Sequence, residues 1–211
     1  MRTVLHDWIN GYQNARYAKR RAPVSAAGRW LLPLLPSLRA AADAVAIARA
    51  RRLDLRQGDI EVYDGRAGCF DVVTMSHVIE HVFDLQHVAQ RVYALLKPGS
   101  IFWLDTPNIE SLGARHLGTD WRGLETPRHL VLFTPSSLRK LLRAGGFRSV
   151  RQYWRGMTVF NVYAESEAMR AQDTAREATS DGKPPMQHIR AELREMLQPA
   201  RREFLTFSAR K

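Results

Sequence analysis

The chain has 211 residues, 45% hydrophobic and 25% charged, enough for one domain with its own core. A single cysteine, Cys69, excludes an internal disulfide framework and fits a reducing compartment. The net charge of +11 attracts anionic partners, but the arginines are scattered, no basic run exceeds Lys19-Arg20-Arg21, and no aromatic-rich RNA-binding signature accompanies them; nucleic acid is therefore not an expected partner.

Residues 1–28 are polar, aromatic and basic and predict a helical cap, and residues 29–52 predict a helix broken near Pro33–Pro36. The apolar stretch 29–50 is interrupted by Pro33, Pro36, Arg39 and Asp43, so it predicts neither a membrane span nor a signal peptide, and the expected location is the cytoplasm. "LDLRQGDI" (53–60) alternates and stops at Gly58-Asp59, a short strand ending in a loop. "CFDVVTMS" (69–76) is an apolar run of the kind found in strands buried on both faces.

"DLQHVAQRVYALLKPG" (84–99) carries Val88, Val92, Leu95 and Leu96 at helical spacing and closes on Lys97-Pro98-Gly99. "SIFWLDTPN" (100–108) predicts a second buried strand, followed by an irregular segment over 109–133. "TPSSLRKLLRAGGF" (134–147) predicts a helix capped by Ser136 or Ser137 and ended by Gly145-Gly146. A third strand is expected over 148–156, amphipathic helix over most of 164–202 with a break at 181–185, and a last strand over 203–211. Strands alternating with helices predict an α/β fold around a largely parallel sheet, with any ligand beyond the carboxyl ends of the strands. Those ends are Gly58-Asp59, Met75–His77 and Thr106-Pro107-Asn108.

"MSHVIEH" (75–81) contains H-x-x-E-H, the order used by one class of zinc peptidase. That use needs His77, Glu80 and His81 on one helix face, yet the residues just before them predict a strand. A further ligand is not singled out among Glu110, Glu125 and His87, so no metal is expected.

The stretch "GCFDVVTMSHVIEHVFDLQHVAQRVYALLKPGSIFWLDTPN" resembles the fourth-to-fifth-strand core of class I S-adenosylmethionine-dependent methyltransferases. It is closest to a small-molecule branch that includes ubiquinone-biosynthesis-like enzymes. "LGTDWRGLETPRHLVLFTPSSLRKLLRAGGF" extends the likeness, which covers about residues 40–160. The resemblance implies a Rossmann-like sheet with a helical C-terminal insertion (164–202) and a final antiparallel strand, in a domain over 40–211 preceded by a helical, basic segment over 1–39.

The resemblance also implies S-adenosylmethionine as cofactor and a small-molecule acceptor. It places Gly58 and Asp59 beside the adenine, Ile60 near the ring, and Met75, Ser76 and His77 along the methionine portion. The rest of "HVIEH" would then open a helix, with Glu80 and His81 on its first turn. A proton acceptor for an oxygen nucleophile would be His129, with His77 behind it. Trp121, Arg122, Arg128 and His129 could meet an acceptor, an anionic one included, although packing is the default role for Trp121.

One family feature is missing. A glycine-rich loop should follow the first strand and an acid should end the second, but upstream of Leu53 only Gly11 and Gly28 occur. The expectation is that a segment between about residues 28 and 42 has been lost or replaced. The sheet would then be incomplete in its N-terminal half, its activity impaired, and an oligomer or a covering partner needed. The alternative expectation is a non-catalytic binding or scaffold protein on the same fold.

Overall fold

The computed structural model describes residues 3–4, 59–125, 128–155, 159–170 and 186–211. The chain divides into two compact units, Met1–Val4 with Gly68–Lys211, and Leu5–Ala67. The expected helix over 29–52, most of the strand over 53–60, Gly58, and the proposed gap over 28–42 lie outside the described residues. So does 171–185, which contains the break expected at 181–185.

The larger unit is built on a five-stranded sheet: β1 (Thr3–Val4), β2 (Phe70–Ser76), β3 (Leu96–Pro107), β4 (Arg148–Tyr153) and β5 (Phe204–Arg210). Their order is β1-β2-β3-β5-β4. β1, β2 and β3 are parallel, and β5 runs antiparallel to both β3 and β4. The chain start therefore contributes a strand where a helical cap was expected. The antiparallel last strand is as expected.

β2 and β3 form because Val72, Val73, Thr74, Ile101, Phe102 and Trp103 are β-branched or aromatic and fit a pleated surface. Burial along β2 alternates, with Phe70, Val73 and Met75 buried and their neighbours half-exposed, so β2 is not closed on both faces as its apolar run predicted.

Parallel β2 and β3 need a crossover, supplied by helix α1 (Leu85–Leu95). Asp84 caps it by accepting from the His87 amide at 2.9 Å. Val88, Ala89, Val92 and Leu95 are buried. Helix ends where β3 begins, at Leu96, so Lys97-Pro98-Gly99 lies inside the long strand.

The irregular segment after β3 contains a short helix, α2 (Leu112–Leu117). Helix α3 (Pro135–Ala144) has Thr134 at its N-cap, and the Ser137 side chain shares in the cap. Thr134 and Ser137 form a reciprocal capping box, so of the two serines expected to cap the turn Ser137 takes part, with Thr134 as its partner. Thr134→Ala is expected to cost about 1 kcal/mol, read as a lowered urea midpoint.

α3 ends as expected. The Phe147 amide reaches the Leu142 carbonyl and the Gly146 amide reaches Arg143, with Gly146 at φ +98°, a conformation that suits glycine. Helices α4 (Val159–Arg170) and α5 (Met186–Leu197) precede β5. Among the described residues no helix is long and apolar enough to cross a membrane.

A second cluster of apolar side chains lies beside the sheet. Leu117, Trp121, Val162 and Tyr163 are buried together, with Ile109, Ala114, Leu124, Ala191 and Phe204 packed around them. It joins the segment after β3 to α4, α5 and the start of β5. Trp121, 1% exposed, thus has the packing role.

Candidate functional site

The carboxyl ends of β2 and β3 lie side by side, Met75 opposite Leu104 and Ser76 opposite Asp105. Because β5 is antiparallel, its first residues reach the same edge, Thr206 opposite Asp105 and Phe204 opposite Pro107. The chain leaves β2 through His77, whose φ of +53° is in the left-handed region. A β2 that ran straight on would bypass this edge; the turn instead carries His77 back over it. Residues 79–81 then form one isolated 3-10 turn (Ile79–His81), and helix resumes only at Leu85. Glu80 and His81 therefore do not open a helix, as the resemblance implied. Leu130 and Val131 donate their amides to the Glu80 carbonyl at 2.8 and 3.2 Å and hold the turn from outside.

His77 lies between two buried carboxylates. Its Nδ1 is 3.3 Å from Glu80 Oε1 and its Nε2 3.4 Å from Asp105 Oδ2, and its ring meets the Phe204 ring edge-on. Burial pushes Glu80 up, but contacts with His77, its own backbone amide and His81 together outweigh it and hold the carboxyl below its usual value. Asp105 is raised by burial, against the opposing pull of His77, Thr206 and Arg155. Thr206 Oγ1 donates to Asp105 Oδ1 at 2.6 Å, Arg155 pairs with Oδ2, and Thr106 Oγ1 donates to Glu80 Oε2 at 3.0 Å. The strand edge is thus acidic within a strongly basic protein.

His129 sits nearby, with its Nε2 3.2 Å from Glu125 Oε2 and 4.0 Å from Glu80 Oε1. The His81 and His129 rings are 4.9 Å apart. His81 Nδ1 is 2.8 Å from the Arg128 carbonyl and His129 Nδ1 is 2.7 Å from that of Gly123. A carbonyl only accepts, so each Nδ1 carries its hydrogen; His81 Nε2 is left as a ligating nitrogen, whereas His129 Nε2 would have to give up Glu125 to ligate. Glu80, His81 and His129 bring one donor atom each within 4.8 Å of one another, a set that can take a divalent cation. His129, and not His77, Glu110 or His87, completes this group. The loop fold brings it there from 48 residues beyond His81, so no local motif announced it.

The two candidate proton acceptors differ in access. The His77 side chain is 28% exposed and that of His129 4%, with both its ring nitrogens engaged. Arg122 and Arg128 are committed to Glu125, whose carboxyl burial would raise. The His129 contact and the two guanidinium groups hold it far below the usual range instead. Neither arginine is positioned as a free anion receptor.

In the smaller unit, Asp59 is exposed and its Oδ1 accepts from the Ile60 amide at 2.7 Å, capping a 3-10 helix over Ile60–Tyr63. Ile60 is buried and helical, where a strand end was expected.

A second carboxylate group was missed by sequence reasoning. Glu203 accepts from the Gly113 amide at 2.6 Å and from Trp121 Nε1 at 2.9 Å, and its own amide donates to Glu195 Oε1 at 2.5 Å. Both glutamates are 1% exposed. Burial, then the neighbouring Glu203, pushes Glu195 up to about 9. The only available signal was an acid directly before the apolar run "FLTF".

The family described as a methyltransferase domain matches residues 25–152. Over 108 residues the chain is 31% identical to a probable S-adenosylmethionine-dependent methyltransferase of Mycolicibacterium smegmatis, covering 49% of this chain and 39% of that protein. It is 33% identical over 93 residues to a ubiquinone biosynthesis O-methyltransferase of Methylocella silvestris, covering 37% and 36%. A solved SAM-dependent methyltransferase from Archaeoglobus fulgidus is similar with a TM-score of 0.49 at 18% identity, over 76% of this chain and 69% of that one. The chain belongs to the class I S-adenosylmethionine-dependent methyltransferase family. It spans 36% to 39% of the length of the curated relatives named here.

Proposed function

We propose that the chain transfers the methyl group of S-adenosylmethionine to a small-molecule acceptor at the carboxyl edge of β2 and β3. The observation that carries this reading is the acidic turn after β2, where His77 at φ +53° is set between buried Glu80 and Asp105. A sulfonium cofactor is a cation, and buried carboxylates at a strand edge suit it. Met75, Ser76 and His77 would line its methionine portion, and Gly58, Asp59 and Ile60 would serve the adenine.

The cofactor, when bound, supplies an electrophilic methyl group. The protein's task is to hold the nucleophile in line and exclude water, so positioning carries most of the rate. His77 is the proposed contact to the acceptor, being the more open to solvent of the two candidate histidines. Leu130 (44% exposed) directly follows His129 and Phe83 (93% exposed) lies two residues after His81, so both offer apolar surface to an acceptor.

Calorimetric titration of the purified chain with S-adenosylhomocysteine tests this. Binding is expected, with affinity lowered at least about tenfold in Asp59→Ala, the loss of one charge-assisted hydrogen bond. Asp59→Asn keeps an oxygen for the Ile60 cap and separates that role from adenine contact. A folded chain that takes up no S-adenosylhomocysteine would sink the reading and leave the non-catalytic binding protein in its place.

A further inference from the structure

Helix α5 turns its acids inward and its large apolar side chains outward. Ala191 packs on the Trp121 cluster and Glu195 Oε1 accepts from the Glu203 amide, so one face of the helix is docked. On the other, Met186, Ile189, Leu193, Met196 and Leu197 are 64%, 39%, 55%, 45% and 83% exposed. Positions i, i+3, i+7, i+10 and i+11 form a single stripe along a helix. A stripe of this kind ordinarily packs against a core, but the core-facing side of α5 is already occupied by other residues.

The charges beside the stripe are of one sign. Arg190 and Arg194, one turn apart, are exposed, whereas the helix's two acids, Glu192 and Glu195, are half-buried and buried. The chain as a whole carries +11.

We propose that the exposed face of α5 lies in the surface of an anionic lipid bilayer, with the apolar stripe at the acyl boundary and Arg190 and Arg194 on headgroup phosphates. The helix has 12 residues, about 18 Å at 1.5 Å per residue, which suits lying in the interface plane and not spanning. Two copies meeting stripe to stripe would bring the arginines of both together with no exposed α5 acid to answer them. That charge pattern selects an anionic partner over a second copy. The inference stands apart from the methyl-transfer site and does not depend on it.

Co-sedimentation of the full chain with large unilamellar vesicles tests it. Vesicles of phosphatidylcholine and phosphatidylglycerol are expected to pellet the chain, and vesicles of phosphatidylcholine alone to leave it in solution. The charge-neutral double variant Leu193→Ser with Leu197→Ser is expected to lower partitioning about tenfold or more. Arg190→Gln with Arg194→Gln is expected to lower it several-fold. All four side chains are exposed, and unchanged urea midpoints would confirm that the variants keep the fold.

No pelleting with the anionic vesicles overturns the proposal. So does a serine variant that pellets like the parent, which would assign binding to diffuse basic charge. A dimer seen by light scattering and split by the same serine variant overturns it in favour of a second copy.

Discussion

Glu195→Gln is expected to stabilise the protein at neutral and alkaline pH, by an amount that grows as pH rises. The folded-state value of Glu195 is about 9, against an ordinary glutamate value of 4.5, because burial and the adjacent Glu203 penalise its charge. A raised value means that the folded state holds a proton which the unfolded state gives up. The stability linked to that proton is fully present below about pH 4.5 and is lost as pH rises through about 9.

Each unit of displacement corresponds to about 1.4 kcal/mol, so several kcal/mol are at stake. Glutamine offers the same carbonyl oxygen to the Glu203 amide and has nothing to ionise. Urea midpoints of parent and variant should coincide near pH 4 and separate steadily up to pH 9. Parallel curves across that range would show that Glu195 is ionised and solvated in the folded protein.

Gly113→Ala should cost about 2–3 kcal/mol, an overpacking loss combined with a disturbed buried hydrogen bond. A Cβ built at Gly113 would stand 2.2 Å from Glu203 Oε1, and neither atom has slack. Glu203 is fixed by the Gly113 amide itself and by Trp121 Nε1. Helix α2 must move, losing the Gly113 bond, or the carboxylate must leave, in which case Trp121 also loses its partner. Denaturant unfolding followed by tryptophan fluorescence reads both effects, since the native emission should shift along with the midpoint. A variant with parent-like midpoint and emission would mean that the helix and strand can separate at no cost.

Much of the framework was legible because local pattern and tertiary role agree. The runs 70–76 and 100–108 are β-branched and aromatic, α1 and α3 carry helical periodicity, and Gly145-Gly146 marks a true helix stop. "FLTFSAR" was legible as a final strand for the same reason. Local pattern failed where distant groups decide. The resemblance implied a helix opening at Glu80 and His81, yet the Glu80 carbonyl is claimed by amides 50 and 51 residues further on, and the helix waits for the Asp84 cap.

The histidine pair was out of reach for a related reason. His81 and His129 become neighbours only through the loop that carries Arg128 and Gly123, whose carbonyls orient the two rings. The Glu203 knot gathers residues from α2, the loop after it, α5 and the start of β5, and no periodicity encodes such a meeting.

The antiparallel course of β5 has a practical corollary for anyone attaching cargo to this protein. Phe204 enters at the edge where His77 turns, but Arg210 leaves opposite Ile101, and the Lys211 amide bonds the Ser100 carbonyl at the far edge of the sheet. A fluorophore, purification handle or surface tether joined after Lys211 would therefore emerge on the side away from the acidic turn. Immobilisation through that point would leave the turn unobstructed. A handle inserted between α5 and β5 would instead be delivered straight into it.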